Sequence, residues 1–183
     1  MESDKLFDPF PEIETHDLSF KKLNPKDSPD LFKIRSNNEV MKYILKPKDQ
    51  NEKETAALIS AINNAVRLSE GIYWGIFNKA DDQLIGAIGF NYINMIHKNA
   101  EIGYLISQDY WGKGIGTKAV ETILKYGFSD INLHRIEASI SPNNLASKHI
   151  LKKLGFELEC VFEEHIFFNG KFESTEVWAK LNS

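Results

Sequence analysis

Cysteine occurs once among the 183 residues, at Cys160. A single thiol closes no disulfide within the chain and cannot build a thiolate zinc site. Its neighbours Leu158, Val161 and Phe162 read as a packed strand, so Cys160 is expected to be packed there and not to act as a nucleophile. The five histidines show no metal-ligand spacing, and no metal is expected. Long apolar runs are missing too. Nothing of signal-peptide length follows Met1-Glu-Ser-Asp-Lys5. No segment approaches the ~20 apolar residues of a membrane span. The expectation is a cytoplasmic protein without membrane contact. Basic charge is in deficit, at a formal net −4. That speaks against general nucleic-acid binding and leaves a basic substrate open.

Glycine is not abundant, but three of the 11 glycines, Gly112, Gly114 and Gly116, fall within five residues. They separate a strand-like stretch from a helical one. Ile102, Tyr104 and Ile106 alternate with Glu101, Gly103 and Leu105. After the glycines, Val120, Ile123, Leu124 and Phe128 share one helix face. Glycines at a helix start leave outward N–H groups that suit a phosphate; a tight turn needing positive φ is the plainer reading. Neither nucleotide motif fits. The spacing is G-x-G-x-G, not G-x-G-x-x-G, and Gly116-Thr117-Lys118 has the wrong order and gap for a P-loop.

Length suits one domain with a full core. Residues 1–16 read as an extended lead-in, and 17–183 as a single domain. A strand near 18–23 is followed by helices at 27–36, 37–43 and 52–69. Strands follow at 72–77, 84–92 and 100–106. The helix after the glycines, a strand at 134–140, a helix opened by Ser141-Pro-Asn-Asn144, and strands at 156–166 and 172–180 complete the chain. That order implies an α/β (α+β) fold: a mixed, mostly antiparallel sheet of about seven strands, helices on both faces, and one parallel pair near the centre.

Trp111-Gly-Lys-Gly114-Ile-Gly116 resembles the cofactor loop [QR]-x-x-G-x-[GA] of the Gcn5-related N-acetyltransferase family, with Trp111 in place of Gln or Arg. Ala100-Glu-Ile-Gly-Tyr-Leu-Ile106, Tyr110-Trp-Gly-Lys-Gly114, Asn144-Leu-Ala-Ser147 and Lys153-Leu-Gly-Phe156 are similar to the RimJ/RimL-type branch, which acetylates ribosomal proteins. The resemblance spans residues 17–181. It implies acetyl-coenzyme A as co-substrate and a primary amine as acceptor: a protein N-terminus first, or a small amine such as a polyamine, amino sugar or antibiotic. A non-catalytic acyl-coenzyme A-binding module is the alternative of another class. The chain is expected as a monomer or homodimer.

The resemblance also distributes roles. Backbone N–H groups of Gly112, Lys113, Gly114, Ile115, Gly116 and Thr117 would hold the pyrophosphate. The pantetheine arm would lie along Tyr104, Leu105 and Ile106, where the strand splays from its parallel neighbour at Arg135. An N–H of Leu105 or Ile106 would meet the oxyanion. Glu101 is the candidate base, acting through water, ahead of His134 and Glu137; a structural carboxylate is its plain reading. The tyrosine that many relatives use as acid is Leu151 here, which leaves Ser147 as candidate acid. Asn144 would cap the helix and bond the arm; the plain reading of Asn144 and Ser147 is that both only cap the helix. Tyr73, Trp74, Asn91, Tyr92 and residues 37–44 are expected around the acceptor.

Overall fold

The structure, a computed structural model, describes residues 6–182. Its strands are β1 (Ile13–Glu14), β2 (Leu18–Lys22), β3 (Ile72–Asn78), β4 (Gln83–Asn94), β5 (Asn99–Ile106), β6 (Arg135–Ile140), β7 (Glu157–Phe168) and β8 (Lys171–Leu181). Its helices are α1 (Ser28–Arg35), α2 (Asn38–Met41), α3 (Glu52–Arg67), α4 (Ile115–Lys125) and α5 (Leu145–Lys153). The strands form one sheet in the order β1-β2-β3-β4-β5-β6-β8-β7. Among the described residues only β5 and β6 run parallel. There is one strand more than expected, because Ile13 and Glu14 in the lead-in pair with Phe20 and Ser19 of β2.

Alternation along the strands sorts side chains between two layers. On one face Trp74, Ile76, Ile88, Ile102 and Ile136 pack under Val120, Ile123 and Leu124 of α4. On the other, Phe77 and Ala87 pack under Leu31 of α1 and Ile59 of α3, with Tyr73 and Leu105 alongside. Asparagines set three helix starts. Asn37, Asn51 and Asn144 each accept N–H bonds from the first turn of α2, α3 and α5, as N-caps do. The helical pattern after the glycines stops at Lys125; Phe128 belongs to a wider π turn, Tyr126–Asp130, and packs against the core from there.

One expectation is overturned. Cys160 is exposed. It lies on β7, the last strand of the sheet, where every residue from Glu157 to His165 is exposed. Apolar neighbours identify a strand, but they do not reveal whether a second layer covers it. Here Leu158, Val161 and Phe162 stay about half exposed.

Candidate active site

The centre of the sheet opens at one residue. The parallel ladder of β5 and β6 pairs Asn99, Ala100 and Glu101 with Arg135, Ile136 and Glu137, then ends. On its other edge β5 stays paired with β4 as far as Ile106. The next N–H, of Ser107, reaches Ile85 O at 2.8 Å. Successive residues of a strand turn their backbone groups to opposite edges. Leu105 is in step with Ser107 and so faces β4, while Tyr104 and Ile106 face the gap. Of the two donors considered in the sequence, this register leaves Ile106, with Tyr104 beside it. The Ile106 carbonyl is already occupied, by the indole N–H of Trp111 at 2.9 Å. Trp111, the departure from the loop pattern, thus ties the glycine loop back to the end of β5.

The loop itself is built for close approach. Gly112 and Gly114 have φ of 72° and 75°, the left-handed region that glycine enters freely. A Cβ on either would meet nothing within 4 Å. Gly114 precedes α4, whose start has no side-chain cap. The first-turn N–H groups of Ile115, Gly116 and Thr117 therefore have no intrahelical acceptor and sit at the positive end of the helix dipole. Ile115 packs on the core. Lys113 turns away from the loop, donating to Asp109 O at 2.8 Å with its ammonium 4.9 Å from the Tyr110 ring centroid.

Glu101 sits at the mouth of the gap, half-buried, on the face of α1 and α3. The Asn91 amide donates to its Oε1 at 2.7 Å and the Ser139 hydroxyl to its Oε2 at 3.3 Å. The Tyr73 hydroxyl donates to Asn91 Oδ1 at 2.8 Å. Asn91 reaches in because β4 slips register between Phe90 and Tyr92, leaving it without a partner on β5; a bulge of this kind re-aims a side chain. Burial, and next the Glu101 charge, push the Tyr73 hydroxyl well above the usual tyrosine range, so it remains a donor. Glu137, the lesser candidate, is held by Arg135 Nε at 3.0 Å.

Tyr104 and Ser147 lie on the opposite face. Ser147 is 9% exposed, and its N–H donates to Asn144 Oδ1 at 3.0 Å, which leaves its hydroxyl and the Asn144 amide group uncommitted to the cap. The Tyr104 hydroxyl is buried without a hydrogen-bond partner among the described residues. Burial raises it above the ordinary tyrosine range, and nearby Ser147 offsets this only in part, short of hydrogen-bond geometry. A buried polar atom left without a partner marks a place for a ligand group or water.

A cavity of about 600 Å³ joins these parts, with Tyr73, Asn91, Glu101, Tyr104, Asn144 and Ser147 in its wall. Of residues 37–44, Tyr43 and Ile44 line it and residues 37–42 do not. Trp74 and Tyr92 do not line it either. Trp74 points to the opposite layer, fully buried, with its indole N–H on Pro11 O at 2.6 Å. Tyr92 is 54% exposed outside the cavity, displaced by the same bulge that admits Asn91. Sequence reasoning missed Ser139 and the free Tyr104 hydroxyl. No local signal marked either, because both depend on packing between segments distant in the chain.

Residues 17–157 match the acetyltransferase (GNAT) domain, and the chain belongs to that family. An uncharacterized N-acetyltransferase of Bacillus subtilis (strain 168), YoaA, is 32% identical over 170 residues, which cover 93% of this chain and 96% of the relative. The spermidine N(1)-acetyltransferase of Escherichia coli (strain K12) is 32% identical over 96 residues, 52% of each chain. RimL, a ribosomal L7/L12 alpha-N-protein acetyltransferase solved in complex with coenzyme A, shares the fold with a TM-score of 0.86 at 19% identity, over 93% of this chain and 98% of that one. The activity is acetyl-coenzyme A-dependent N-acetyl transfer. No helix among the described residues is long and apolar enough to cross a membrane.

Proposed function

We propose that the chain acetylates a primary amine by direct transfer in a ternary complex, and that the amine is a protein N-terminus. The observation that carries this is the parting of β5 from β6 immediately after Glu101. It sets a carboxylate on one side of a gap and the Ser147 hydroxyl on the other. Acetyl-coenzyme A fits the residues present. The glycine loop and the uncapped start of α4 suit its pyrophosphate. The open backbone groups of Tyr104 and the free N–H of Ile106, whose carbonyl Trp111 holds, suit an extended arm, which bonds as an added strand does. The Tyr104 hydroxyl is an unfilled donor beside that path.

In this reading Glu101, oriented by Asn91 and Ser139, takes a proton from the amine through water. The N–H of Ile106 or Tyr104 donates to the oxyanion as the amine adds to the thioester carbon. The C–S bond then breaks, and Ser147 gives its proton to the departing sulfur. Asn144 places Ser147 through the helix cap.

The test is turnover with acetyl-coenzyme A against a panel of peptides and small amines. Acetylated peptide N-termini and intersecting initial-rate plots are expected. A covalent acetyl-enzyme, or turnover confined to small amines, would overturn the reading. The partial match to a spermidine acetyltransferase makes a polyamine the second reading, and the cavity wall bears on the choice.

A further inference from the structure

The acceptor side of the cavity is apolar. Leu58, Ile62 and Ala65 of α3 line it together with Tyr43, Ile44 and Leu45 from the segment after α2, and all six are half-buried. Among the described lining residues, Glu101 is the one carboxylate; the other charged groups are Arg35 and Lys46. Arg35 is committed elsewhere. Its Nε lies 2.9 Å from both oxygens of buried Asp49, which also accepts from the Thr55 hydroxyl at 2.6 Å. That cluster ties the segment carrying residues 43–46 to α1 and α3. Lys46 is exposed and adds positive charge to the same rim.

We propose that the acceptor carries a single ammonium on an apolar body, in the form of a peptide N-terminus whose first side chain is aliphatic. The ammonium meets Glu101, and the side chain lies against Leu58, Ile62 and Ala65. This rests on the N-terminal-amine reading above and names the first residue of that substrate. A polyamine is disfavoured by the same wall. Its second ammonium would leave water for an apolar surface with no carboxylate to receive it, which is unfavourable for any unpaired charge, and Lys46 would repel it. An acidic first residue meets the same apolar wall. An aliphatic one leaves water for it and gains by burial.

The experiment compares kcat/KM for peptides that differ only in a first residue of Leu, Gly or Asp, and for hexylamine and spermidine. The Leu peptide is expected to exceed the Gly and Asp peptides by about 10- to 100-fold, the range for an aliphatic group in an apolar pocket. Hexylamine should exceed spermidine. Ile62→Glu supplies a second carboxylate and should lower the ratio of Leu peptide to spermidine at least about tenfold. The coenzyme A-induced rise in Tm reports that this variant is folded. Gly or Asp peptides as good as the Leu peptide would overturn the inference and leave the N-terminal reading standing. Refusal of all peptides with hexylamine preferred over spermidine would overturn the N-terminal reading and keep the apolar body. Preference for spermidine, or an unchanged ratio in folded Ile62→Glu, would overturn the inference.

Discussion

The hydroxyl of Tyr73 stands 2.6 Å from the point that a Cβ would occupy on Gly103. Tyr73, Gly89 and Gly103 are consecutive cross-strand partners on β3, β4 and β5. The tyrosine ring can therefore lie along the sheet over two residues without side chains and deliver its hydroxyl to Asn91, which in turn holds Glu101. Gly103→Ala should displace both Tyr73 and the Asn91 amide, which lies 2.9 Å from the same point. A fall in kcat is expected with coenzyme A affinity within a few fold. Asn91→Ala should do the same and also lose about 1–3 kcal/mol of stability, because the Tyr73 hydroxyl is left without an acceptor. Calorimetry for coenzyme A and steady-state kinetics check this; a matched loss of cofactor affinity would make the network a scaffold for the cofactor.

Removing the base should matter most where the amine is mostly protonated. Glu101→Gln is expected to lower turnover by about 10²–10⁴, with the larger deficit at low pH and with cofactor binding spared. A deficit independent of pH would identify Glu101 as a structural carboxylate.

Ser147→Ala should lower turnover and leave coenzyme A affinity within a few fold, since a leaving-group acid acts in the transition state. Tyr104→Phe separates the neighbouring hydroxyl. It removes an unsatisfied buried group, so the free protein should be as stable or more so, while the coenzyme A-induced Tm rise should shrink. Thermal melts with and without coenzyme A read both effects. Equal losses of affinity and turnover in Ser147→Ala would make it a binding residue.

Coenzyme A should raise Tm by mass action, and Gly114→Val should abolish that rise. Its Cβ meets no neighbour within 4 Å, so the damage to the fold is limited to backbone strain at φ 75°. That strain is on the order of 1–2 kcal/mol, or a few degrees of Tm for a chain of this size. An unchanged coenzyme A shift in the variant would remove the loop from the pyrophosphate site.

Alkali should destabilise the chain. Burial raises Tyr73 and Tyr104 above the ordinary range and pushes Tyr126 up to about 12, with the Asp130 charge adding to it. The unfolded chain releases these protons near pH 10, before the folded chain does. Stability is therefore full below about pH 10 and declines as pH rises from there through the folded values. Urea midpoints between about pH 8 and 11 measure it, and Tyr126→Phe should flatten part of the decline.

Much of the fold was legible because its signals are local. Alternation in residues 100–106 and the i, i+3, i+4 spacing after the glycines follow from the two- and 3.6-residue periods of strand and helix. Asn144 marks a helix start because a short amide reaches the next free N–H groups. The placement of Glu101 opposite Tyr104 across the strand needed nothing more than counting.

The site's finer chemistry was not local. Asn91 and Tyr92 are adjacent and equally plausible as pocket residues, and a one-residue bulge sends the first to Glu101 and the second to solvent. Leu105 and Ile106 were equivalent as donors until the register with β4 turned one toward a paired strand and the other toward the gap. Cys160 had the neighbours of a core residue and became exposed because β7 is the last strand of the sheet. The sequence alone determined most of the elements, the glycine loop and the face of the candidate base, because these depend on backbone periods and conformational freedom. The tertiary structure decided what each side chain meets, because bulges, ladder ends and sheet edges arise from pairing between segments distant in the chain.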